Sequence, residues 1–534
     1  MQVKNSSNTV AWTTDIIADA VGIHQPIKKV DDGIYNANID QTEKYTFAKP
    51  IRKVAIVGAG PAGLPTAKLL LDEGLEVKIY ERNSAPGGTW IYHEEQPICP
   101  EFPSVIPTKI TKPINSNQVQ EELLRLNPPT PCYRSLRNNV PTPLLKYKDL
   151  EWKKETPWFT THDKILEYLQ DYASAFKLDQ VTEFNTSVEK LEELPNQEGW
   201  DVITKHFKYS QDKSMVEVGW KQEKFDAVVV ATGHYHAPYI PEFPGLADWR
   251  HKWPNNVFHS KQYRVPEHFK GKSVLLIGSG VSAIDIARDI DNQAKTIYNS
   301  VRESDHKFDE KYSKIRQEFS KFVPKHVQKV GDIKQFHTIH QTNRIQDGIV
   351  ELKDGTKLTN LDYIIVCTGY VFNFHFLEHL HSDNYVNANR HTAVDDSHVL
   401  VKDGSQVFNL HKDIFYIPNP TLSFVGIPFH IATFSFFEFQ SYAVARVYSG
   451  SAQLPSQGAM RAEWNEREKR KGSGREFHAL GSALEKAYIK DIIIWVNKDA
   501  EGQHKRIVEE HSDGWNEIRS QSLIALKKAL NISD

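Results

Sequence analysis

The stretch RKVAIVGAGPAGLPTAKLLL, residues 52–71, decides the fold of this chain. A β-branched apolar run of strand length leads into the glycine turn GAGPAG, and residues with helical spacing follow it. A second apolar run then ends at Glu81, so the order of elements is strand, turn, helix and strand. This order is typical of the βαβ unit that binds a dinucleotide, and it predicts a parallel sheet covered by helices.

Each glycine of the first turn has an expected task. Gly58 permits a tight turn, Gly60 lets the backbone approach a pyrophosphate, and Gly63 allows the helix to pack closely on the sheet. The pyrophosphate then lies at the positive end of the helix. Glu81 stands 21 residues after Gly60 (81 minus 60), where a carboxylate can accept hydrogen bonds from ribose hydroxyls. In the segment ERNSAPGGTW that starts at Glu81, the glycine pair could let the backbone lie against a flat ring system.

A second unit of the same kind, KSVLLIGSGVSAIDIARDI, starts at Lys272. Its turn contains Gly278, Gly280 and Ala283, and alanine is an accepted replacement for the third glycine. The next strand lacks an acid, while Arg302 stands about where a 2′-phosphate needs a cation. The pattern favours NADP over NAD, although a surface arginine without a ligand is an open alternative.

Two dinucleotide sites in one chain suggest a flavin that receives hydride from a nicotinamide. A disulfide reductase would share both sites, but it needs a redox cysteine pair. The three cysteines, Cys99, Cys132 and Cys367, are scattered and form no C-x-x-C motif, which excludes that class and predicts no disulfide framework. The 23 histidines form no metal-binding motif, so no metal site is expected.

Length and charge limit the remaining classes of function. A chain of 534 residues predicts two or three domains. A formal net charge of -3 gives no field that favours nucleic acid or an anionic membrane. No apolar run approaches the ~20 residues that span a bilayer, and the amino terminus shows no secretory signal. We therefore expect a soluble cytoplasmic protein, or one held peripherally at the cytosolic face of the endoplasmic reticulum.

Six motifs together resemble one protein family. GAGPAG, ERNSAPGGTW, ATGHY, FHSKQY, GSGVSA and CTGY occur in an order and at separations that resemble the flavin-containing monooxygenases, especially the fungal ones of flavoprotein class B. The likeness covers roughly residues 51–450. It implies an α/β fold with two Rossmann-like dinucleotide-binding domains, FAD at the first turn and NADPH at the second. The NADP domain is then inserted in the FAD domain.

The expected domain organisation follows from this likeness. Residues 303–344 are highly charged and are interpreted as a solvated helical insertion without chemistry of its own. The expected domains are an N-terminal extension (1–50), an FAD-binding domain in two parts (51–235 and 363–450), an NADP-binding domain (236–362) and a C-terminal helical region (451–534).

The resemblance also implies which residues bind the cofactors. The loop before the second turn keeps the family pattern F-x-G-x-x-x-H-x-x-x-Y only in part, because Trp253 and Asn255 replace the phenylalanine and glycine. Related Baeyer-Villiger monooxygenases typically have tryptophan where this chain has Tyr263. The implied cofactor-binding residues are Gly58, Gly60, Pro61, Ala62, Gly63, Glu81, Arg82, Gly88, Thr89, Trp90, Thr232, Gly233, His259, Ser260, Tyr263, Gly278, Ser279, Gly280, Ser282, Ala283, Arg302, Thr368, Gly369 and Gln440.

One asparagine is the implied catalytic residue. The segment YRSLRNNVP resembles the one that supplies an amide over the flavin in the family, with Asn139 at the matching position and Asn138 as a neighbouring alternative. An uncharged amide can donate to a peroxide oxygen or to NADP without protonating the intermediate. An asparagine ahead of a proline turn is also ordinary loop chemistry.

The family chemistry implies an NADPH- and dioxygen-dependent monooxygenase. NADPH reduces FAD, dioxygen adds at the flavin C(4a) carbon, and the hydroperoxide, stabilised by NADP+, oxygenates the nitrogen or sulfur of an amine, thiol or sulfide. The expected partners are therefore a small N- or S-containing substrate and dioxygen. A Baeyer-Villiger or N-hydroxylating enzyme with the same cofactors stays open, as does a non-catalytic flavin-binding sensor or scaffold. Oligomeric state also stays open, with a homodimer as one option.

Overall fold

The computed structural model describes residues 43–105, 124–125, 127–209, 216–302, 321–337, 343–382, 395–498 and 500–532. The strands in this part of the chain, in chain order, are β1 (Lys53–Val57), β2 (Glu76–Tyr80), β3 (Thr182–Glu183), β4 (Thr186–Glu193), β5 (Trp200–Tyr209), β6 (Val216–Phe225), β7 (Ala227–Val230), β8 (Ala237–Pro238), β9 (Val257–His259), β10 (Ser273–Ile277), β11 (Thr296–Ser300), β12 (Gln328–Val330), β13 (Ile333–Phe336), β14 (Val350–Leu352), β15 (Lys357–Leu358), β16 (Tyr363–Val366), β17 (Tyr370–Val371), β18 (Leu410–His411), β19 (Phe415–Tyr416) and β20 (Leu422–Phe424). The α-helices are α1 (Gly63–Asp72), α2 (His162–Ala175), α3 (Leu246–Lys252), α4 (Val281–Ile290), α5 (Thr433–Tyr448), α6 (Gln457–Lys471), α7 (Gly481–Asn497) and α8 (Asp513–Ala529).

The first glycine turn belongs to a seven-stranded sheet with the order β18-β19-β20-β7-β1-β2-β3. Strand β1 lies between β2 and β7 and is parallel to both, with Val54 opposite Val77 and Ala227. Its apolar run is buried because strands cover both edges and helices pack on the faces. Helix α1 then ends where the sequence has a glycine: Gly74 has φ +83°, and the N–H groups of Gly74 and Leu75 return to the carbonyls of Leu71 and Leu70.

The second glycine turn belongs to a separate five-stranded sheet with the order β12-β11-β10-β16-β9. Every pairing in this sheet is parallel. The chain enters the second sheet after β7 and returns to the first sheet at β18, so one dinucleotide-binding unit is inserted in the other. The predicted α/β fold with two Rossmann-like domains is confirmed.

The two connections between the sheets pair with each other. Strand β8 lies on the connection from the first sheet to the second, and β17 lies on the connection back. The two strands form an antiparallel pair, with Tyr370 opposite Pro238. The expected boundary at 362/363 placed β16 in the FAD-binding domain, but β16 pairs with β10 and β9 in the second sheet. A short buried strand carries no local signal for the sheet that it joins, because its partners are distant in sequence. We therefore propose a boundary after β16, and the other boundaries stay predictions.

The charged segment at 303–344 differs from its expectation where it is described. Residues 303–320 and 338–342 lie outside the described residues. The stretch between them, which we interpreted as helical, contains β12 and β13 instead. Strand β12 extends the second sheet beside β11, and β13 pairs with β14. Apolar residues such as Ile333 and Phe336 are buried in these pairings. Their burial favours strands over the helix that we expected from the lysine-rich composition.

The C-terminal helices pack on the first domain. Helix α7 lies against α5, and α5 lies against α1, where Thr66 Oγ1 and Ser441 Oγ are 2.8 Å apart. The start of the described chain runs along the same region, because the Tyr45 N–H donates to the Leu454 carbonyl at 3.0 Å. Residues 1–42 of the expected N-terminal extension lie outside the described residues. The C-terminal region therefore rests on the core that carries the first glycine turn.

Candidate functional site

A cleft of about 3230 Å³ contains both glycine turns. Pockets for one small ligand are typically ~300–1,000 Å³, so this cleft has room for two dinucleotides and a substrate. It lies at the carboxyl ends of the parallel strands, since the residues that follow β1, β7, β10 and β16 all contribute to its lining. This is where open α/β sheets bind their ligands.

The first turn is shaped by two glycine contacts that exclude a side chain. Gly58 has φ +107°, a conformation that favours glycine. A Cβ on Gly63 would stand 1.9 Å from the Gly58 carbonyl oxygen, so only glycine lets α1 approach the turn. This short distance is the physical reason for the close packing of helix and sheet that was predicted at Gly63. The turn exposes the N-terminus of α1 to the cleft, which suits a pyrophosphate.

The Glu81 carboxylate fixes the first turn from the end of β2. Its Oε2 accepts a hydrogen bond from the Ala59 N–H at 2.7 Å. Its Oε1 accepts from the backbone N–H of Asn83 at 2.8 Å and from the Asn83 Nδ2 at 2.7 Å. Oε2 accepts only one of these bonds and has a second lone pair, so the predicted binding of a ribose hydroxyl is compatible with them and stays a prediction.

The second turn has one constrained glycine and one open glycine. Gly278 has φ +123°, and a Cβ there would lie 2.4 Å from the Cys367 carbonyl oxygen. No described atom outside its own neighbours lies within 4 Å of a Cβ on Gly280, which precedes α4 and lines the cleft. The space at Gly280 is therefore available to a ligand rather than needed by the protein.

A basic wall borders the second turn. Arg302, the predicted partner of a 2′-phosphate, follows β11 and lines the cleft. Lys321, Lys325 and Lys329 line it as well, on and before β12. Sequence reasoning missed these lysines because it assigned their segment no chemistry. Their clustered charge suits the phosphates of NADP.

The two asparagines of the candidate catalytic segment have different environments. The Asn138 amide is fully engaged: its Nδ2 donates to the carbonyls of Val140 (2.7 Å) and Trp158 (2.8 Å), and its Oδ1 accepts from the Thr160 N–H (2.5 Å). Asn139 lines the cleft, is half-buried, and its amide has no hydrogen-bond partner among the described residues. The geometry therefore favours Asn139 over Asn138 as the group that is free to contact a ligand.

Most of the implied cofactor-binding residues come together in the cleft. Those that line it are Gly58, Gly60, Pro61, Ala62, Glu81, Arg82, Gly88, Thr89, Trp90, Thr232, Gly233, Gly278, Ser279, Gly280, Ser282, Arg302, Thr368 and Gly369. Those that lie behind its lining are Gly63, His259, Ser260, Tyr263, Ala283 and Gln440.

Three of the residues behind the lining hold others in place. The His259 Nδ1 accepts from the Lys261 N–H at 3.1 Å, and burial lowers the pKa of His259 to about 3. The Tyr263 hydroxyl donates to Asp289 on α4. The Gln440 Oε1 accepts from the Gly426 N–H at 2.9 Å, and its Nε2 donates to the Tyr488 hydroxyl at 3.0 Å. Gln440 thus fixes Gly426, whose backbone lines the cleft.

Lys261 is a cleft residue that sequence reasoning missed. Its side chain is buried, and its Nζ donates to the His236 carbonyl at 2.7 Å. Burial, together with the charges of Arg82 and Arg264, lowers the pKa of Lys261 to about 7. This lysine therefore changes charge near neutral pH. A polar loop with one lysine carries no local signal for such burial.

None of the described helices has both the length and the apolar character needed to cross a membrane. The same residues contain no group of three or more histidine, cysteine or acidic side chains placed to hold a metal ion.

Comparisons with known proteins agree in the family that they indicate. The family model described as flavin-binding monooxygenase-like matches residues 127–313 and 331–498, and a model for an NAD(P)-binding Rossmann-like domain matches 56–119. The flavin-containing monooxygenase ustF2 of Aspergillus flavus is 38% identical over 496 residues, which cover 88% of this chain and 96% of that protein. The flavin-containing monooxygenase iboF of Amanita muscaria is 32% identical over 495 residues, which cover 87% and 91%.

A solved structure supports the same fold and family. The S-allyl-L-cysteine S-oxygenase from Allium sativum superposes with a TM-score of 0.61 and is 28% identical in sequence. The match covers 89% of this chain and 99% of that chain.

Proposed function

The chain belongs to the flavin-binding monooxygenase-like family, and from that premise we propose that it oxygenates a nitrogen or sulfur atom of a small substrate. As a member of this family it is a monooxygenase that uses FAD, NADPH and dioxygen. The observation that carries the proposal is that glycine turns from two different sheets line one cleft. In such a cleft a nicotinamide and a flavin can meet beside a substrate.

The residues of the first domain would hold FAD. The N-terminus of α1 and the backbone of Gly60 suit the pyrophosphate, and Glu81 keeps the turn in shape. When bound, FAD supplies the redox chemistry that activates dioxygen, which no side chain can supply. Because the cofactor supplies this chemistry, the protein needs neither a nucleophile nor a metal.

The residues of the second domain would hold NADPH. Gly280 leaves room at the start of α4 for a pyrophosphate, and Arg302 with the neighbouring lysines would bind the 2′-phosphate. Arginine suits this task because its planar fork can donate two parallel hydrogen bonds to a phosphate. Retained nucleotide would also exclude water from the cleft, which protects a reactive oxygen species from wasteful breakdown.

Asn139 would act on the reacting groups. Its amide lines the cleft and has no partner among the described residues, so its N–H groups are available to donate. An amide does not release a proton at neutral pH, so it can orient an oxygen atom without protonating it. We assign it this orienting role.

Sulfur is the better supported of the two substrate atoms. The Allium sativum protein, which shares the fold over nearly its whole length, is by name an S-oxygenase that acts on a thioether amino acid. A thioether is a soft nucleophile and attacks an electrophilic oxygen without needing activation by a general base. An amine nitrogen attacks in the same way once it is unprotonated, so amines stay within the proposal.

The test compares three substrate classes in purified, FAD-loaded protein. NADPH oxidation, oxygen uptake and hydrogen peroxide release are measured with S-allyl-L-cysteine, with a tertiary amine and with a cyclic ketone. We expect a sulfoxide or an N-oxide in proportion to the NADPH consumed, with little hydrogen peroxide. Ester formation from the ketone as the main reaction would instead indicate a Baeyer-Villiger enzyme. Hydrogen peroxide as the sole product with every substrate would refute the proposal.

A further inference from the structure

Arg475 brings a positive charge from the C-terminal region into the cleft. It lies in the turn between α6 and α7 and lines the cleft beside the end of β16. A Cβ on Gly369 would stand 3.0 Å from the Arg475 Nη1 and 3.5 Å from its Nη2, so the glycine leaves room for the guanidinium. The Arg475 Cζ lies 5.8 Å from the centre of the Phe429 ring. A region that sequence analysis could not connect to the site thus supplies part of its wall.

The turn that carries Arg475 is held firmly on both sides. The Gly474 N–H donates to the Gln406 Oε1 at 2.7 Å. On the other side, His478 is fully buried, its Nδ1 lies 3.0 Å from the Asp413 Oδ1, and its Nε2 accepts from the Val407 N–H at 3.0 Å. These contacts fix the backbone position from which the Arg475 side chain reaches the cleft.

Asp413 is the buried anchor of this arrangement. Besides His478, it accepts two hydrogen bonds from Arg467, at 2.8 and 2.6 Å. Burying a charge is costly unless it is paired and hydrogen-bonded, and here every partner of Asp413 belongs to the turn or to the helix before it. The network therefore ties the position of Arg475 to the core of the protein.

The charge of Arg475 is not neutralised by a neighbouring acid. It forms no ion pair with any described residue, and Glu476, which also lines the cleft, is not paired with it. Two histidines lie within reach of the Arg475 charge: burial, with the charge of Arg475, lowers the pKa of His234 and of His430 to about 4. Both imidazoles are therefore neutral at pH 7. Arg475 is exposed at the cleft, so the corner formed by Arg475, Gly369 and Phe429 presents a solvated positive charge that a ligand can reach.

This corner is separate from the basic wall assigned to the 2′-phosphate. In the second sheet β10 lies between β11 and β16, so Arg302 after β11 and Arg475 beside the end of β16 lie on opposite sides of the glycine turn. In Rossmann-like domains the adenosine ribose lies near the strand that follows the glycine turn and its helix, which here is β11. Arg475 is therefore on the side of the reacting half of the nucleotide.

We propose that Arg475 binds a carboxylate of the substrate, so that the substrate class is small organic acids, amino acids included, with an oxidisable sulfur or nitrogen. A carboxylate can accept two parallel hydrogen bonds from a guanidinium, and the adjacent Phe429 ring offers an apolar surface to the rest of the molecule. This inference rests on the proposed function, because it names the substrate of the same cleft.

The test measures binding without turnover, by calorimetry on oxidised holoenzyme saturated with NADP+. The probes are 3-(methylthio)propanoate and 3-(methylthio)propanamide, which share the sulfur and differ in the carboxylate. Wild-type protein should bind the acid more tightly than the amide. Because Arg475 is exposed, its ion pair with a carboxylate should contribute up to ~1 kcal/mol, so Arg475→Ala should weaken binding of the acid up to about 5-fold and leave that of the amide unchanged. Arg475→Lys should recover part of the preference, because it keeps the charge but not the fork.

Lys469→Ala is the matched control. It removes one positive charge from the exposed face of α6, outside the cleft, and should leave both affinities unchanged. FAD content and thermal unfolding establish that each variant is folded.

Three results would overturn the inference. The first is wild-type protein that binds acid and amide equally, or binds neither. The second is an equal loss of both probes in Arg475→Ala. The third is a loss of NADP+ affinity in that variant with the preference for the acid intact. A wild-type protein that prefers the acid but never oxygenates it would refute the proposed function and not this inference.

Discussion

The backbones of Gly60 and Gly88 lie in contact: a Cβ on Gly88 would stand 2.9 Å from the Gly60 Cα, and Gly88 itself has φ +56°. Gly280 in the second turn has no such contact, because a Cβ there would meet no described atom outside its chain neighbours within 4 Å. Gly88 is therefore needed by the protein's own packing. Gly280 is needed only if a ligand occupies the space beside it.

Substitution of these two glycines should have opposite effects. Gly88→Ala should destabilise the fold by about 1–3 kcal/mol, since it combines a left-handed backbone with a backbone clash. Gly280→Ala should leave the free energy of unfolding within about 0.5 kcal/mol of wild type and raise the KM for NADPH. Urea unfolding and steady-state kinetics measure the two quantities. Gly458→Ala, in α6 with only the Ser456 Oγ near at 3.9 Å, is the control and should leave the KM unchanged. A large loss of stability in Gly280→Ala would contradict this distinction.

Substitutions of the two neighbouring asparagines should have different effects: one should lower the stability of the fold, and the other should uncouple NADPH oxidation from oxygenation of the substrate. Asn138→Ala removes three hydrogen bonds to the backbone and should lower the free energy of unfolding by at least about 1–3 kcal/mol. Asn139→Ala should leave stability close to wild type and increase the hydrogen peroxide released per NADPH oxidised. Each variant serves as the control of the other. The interpretation fails if Asn139→Ala unfolds readily, or if it keeps wild-type coupling.

Tyr263 should prove to be structural. Its ring is buried, and its hydroxyl donates to the Asp289 Oδ2 at 2.5 Å, an oxygen that also accepts from Ser135 at 2.5 Å. Tyr263→Phe deprives a buried carboxylate of one donor and should lower the free energy of unfolding by about 1–3 kcal/mol. The KM for NADPH should stay at its wild-type value. A raised KM with unchanged stability would mean that Tyr263 binds NADP directly, as the family motif implies.

Glu438 should make the stability of the protein depend on pH. Burial is the main cause that raises its pKa to about 7; Asp149 adds to the shift, while Lys148 and Lys68 oppose it. The folded protein therefore holds this proton more tightly than the unfolded chain, whose carboxyl has the ordinary pKa of 4.5. The resulting stabilisation is complete below that value and is lost as the pH rises through about 7.

Glu438→Gln removes this titration and gives the measurement. Relative to the variant, the free energy of unfolding of wild type should fall by up to about 3 kcal/mol between about pH 5 and about pH 8. Urea unfolding across this range shows the difference. Glu510→Gln, which replaces an exposed carboxylate, should follow the wild-type pH dependence. Parallel curves for wild type and Glu438→Gln would show that the buried carboxyl does not titrate in this range.

The amino-acid sequence by itself determined the two dinucleotide-binding units. A strand, a glycine turn, a helix and a second strand occupy neighbouring residues, so the conformational demands of Gly58 and Gly278 and the length of each apolar run are local properties. The insertion of one unit in the other was implied by the family resemblance, and the structure confirms it, because strands of the first sheet stand on both sides of the second unit. Fold class and the identity of the cofactors needed no information beyond these patterns and their resemblance to a family.

Only the tertiary structure decided which side chains meet in the cleft. The sheet that β16 joins, the choice between Asn138 and Asn139, and the arrival of Arg475 at Gly369 all depend on contacts between residues that are far apart in sequence or that differ only in side-chain direction. Spacing along a chain carries no record of such contacts, because they are set by how helices and sheets pack. The sequence therefore indicates the kind of site, and packing selects the residues that complete it.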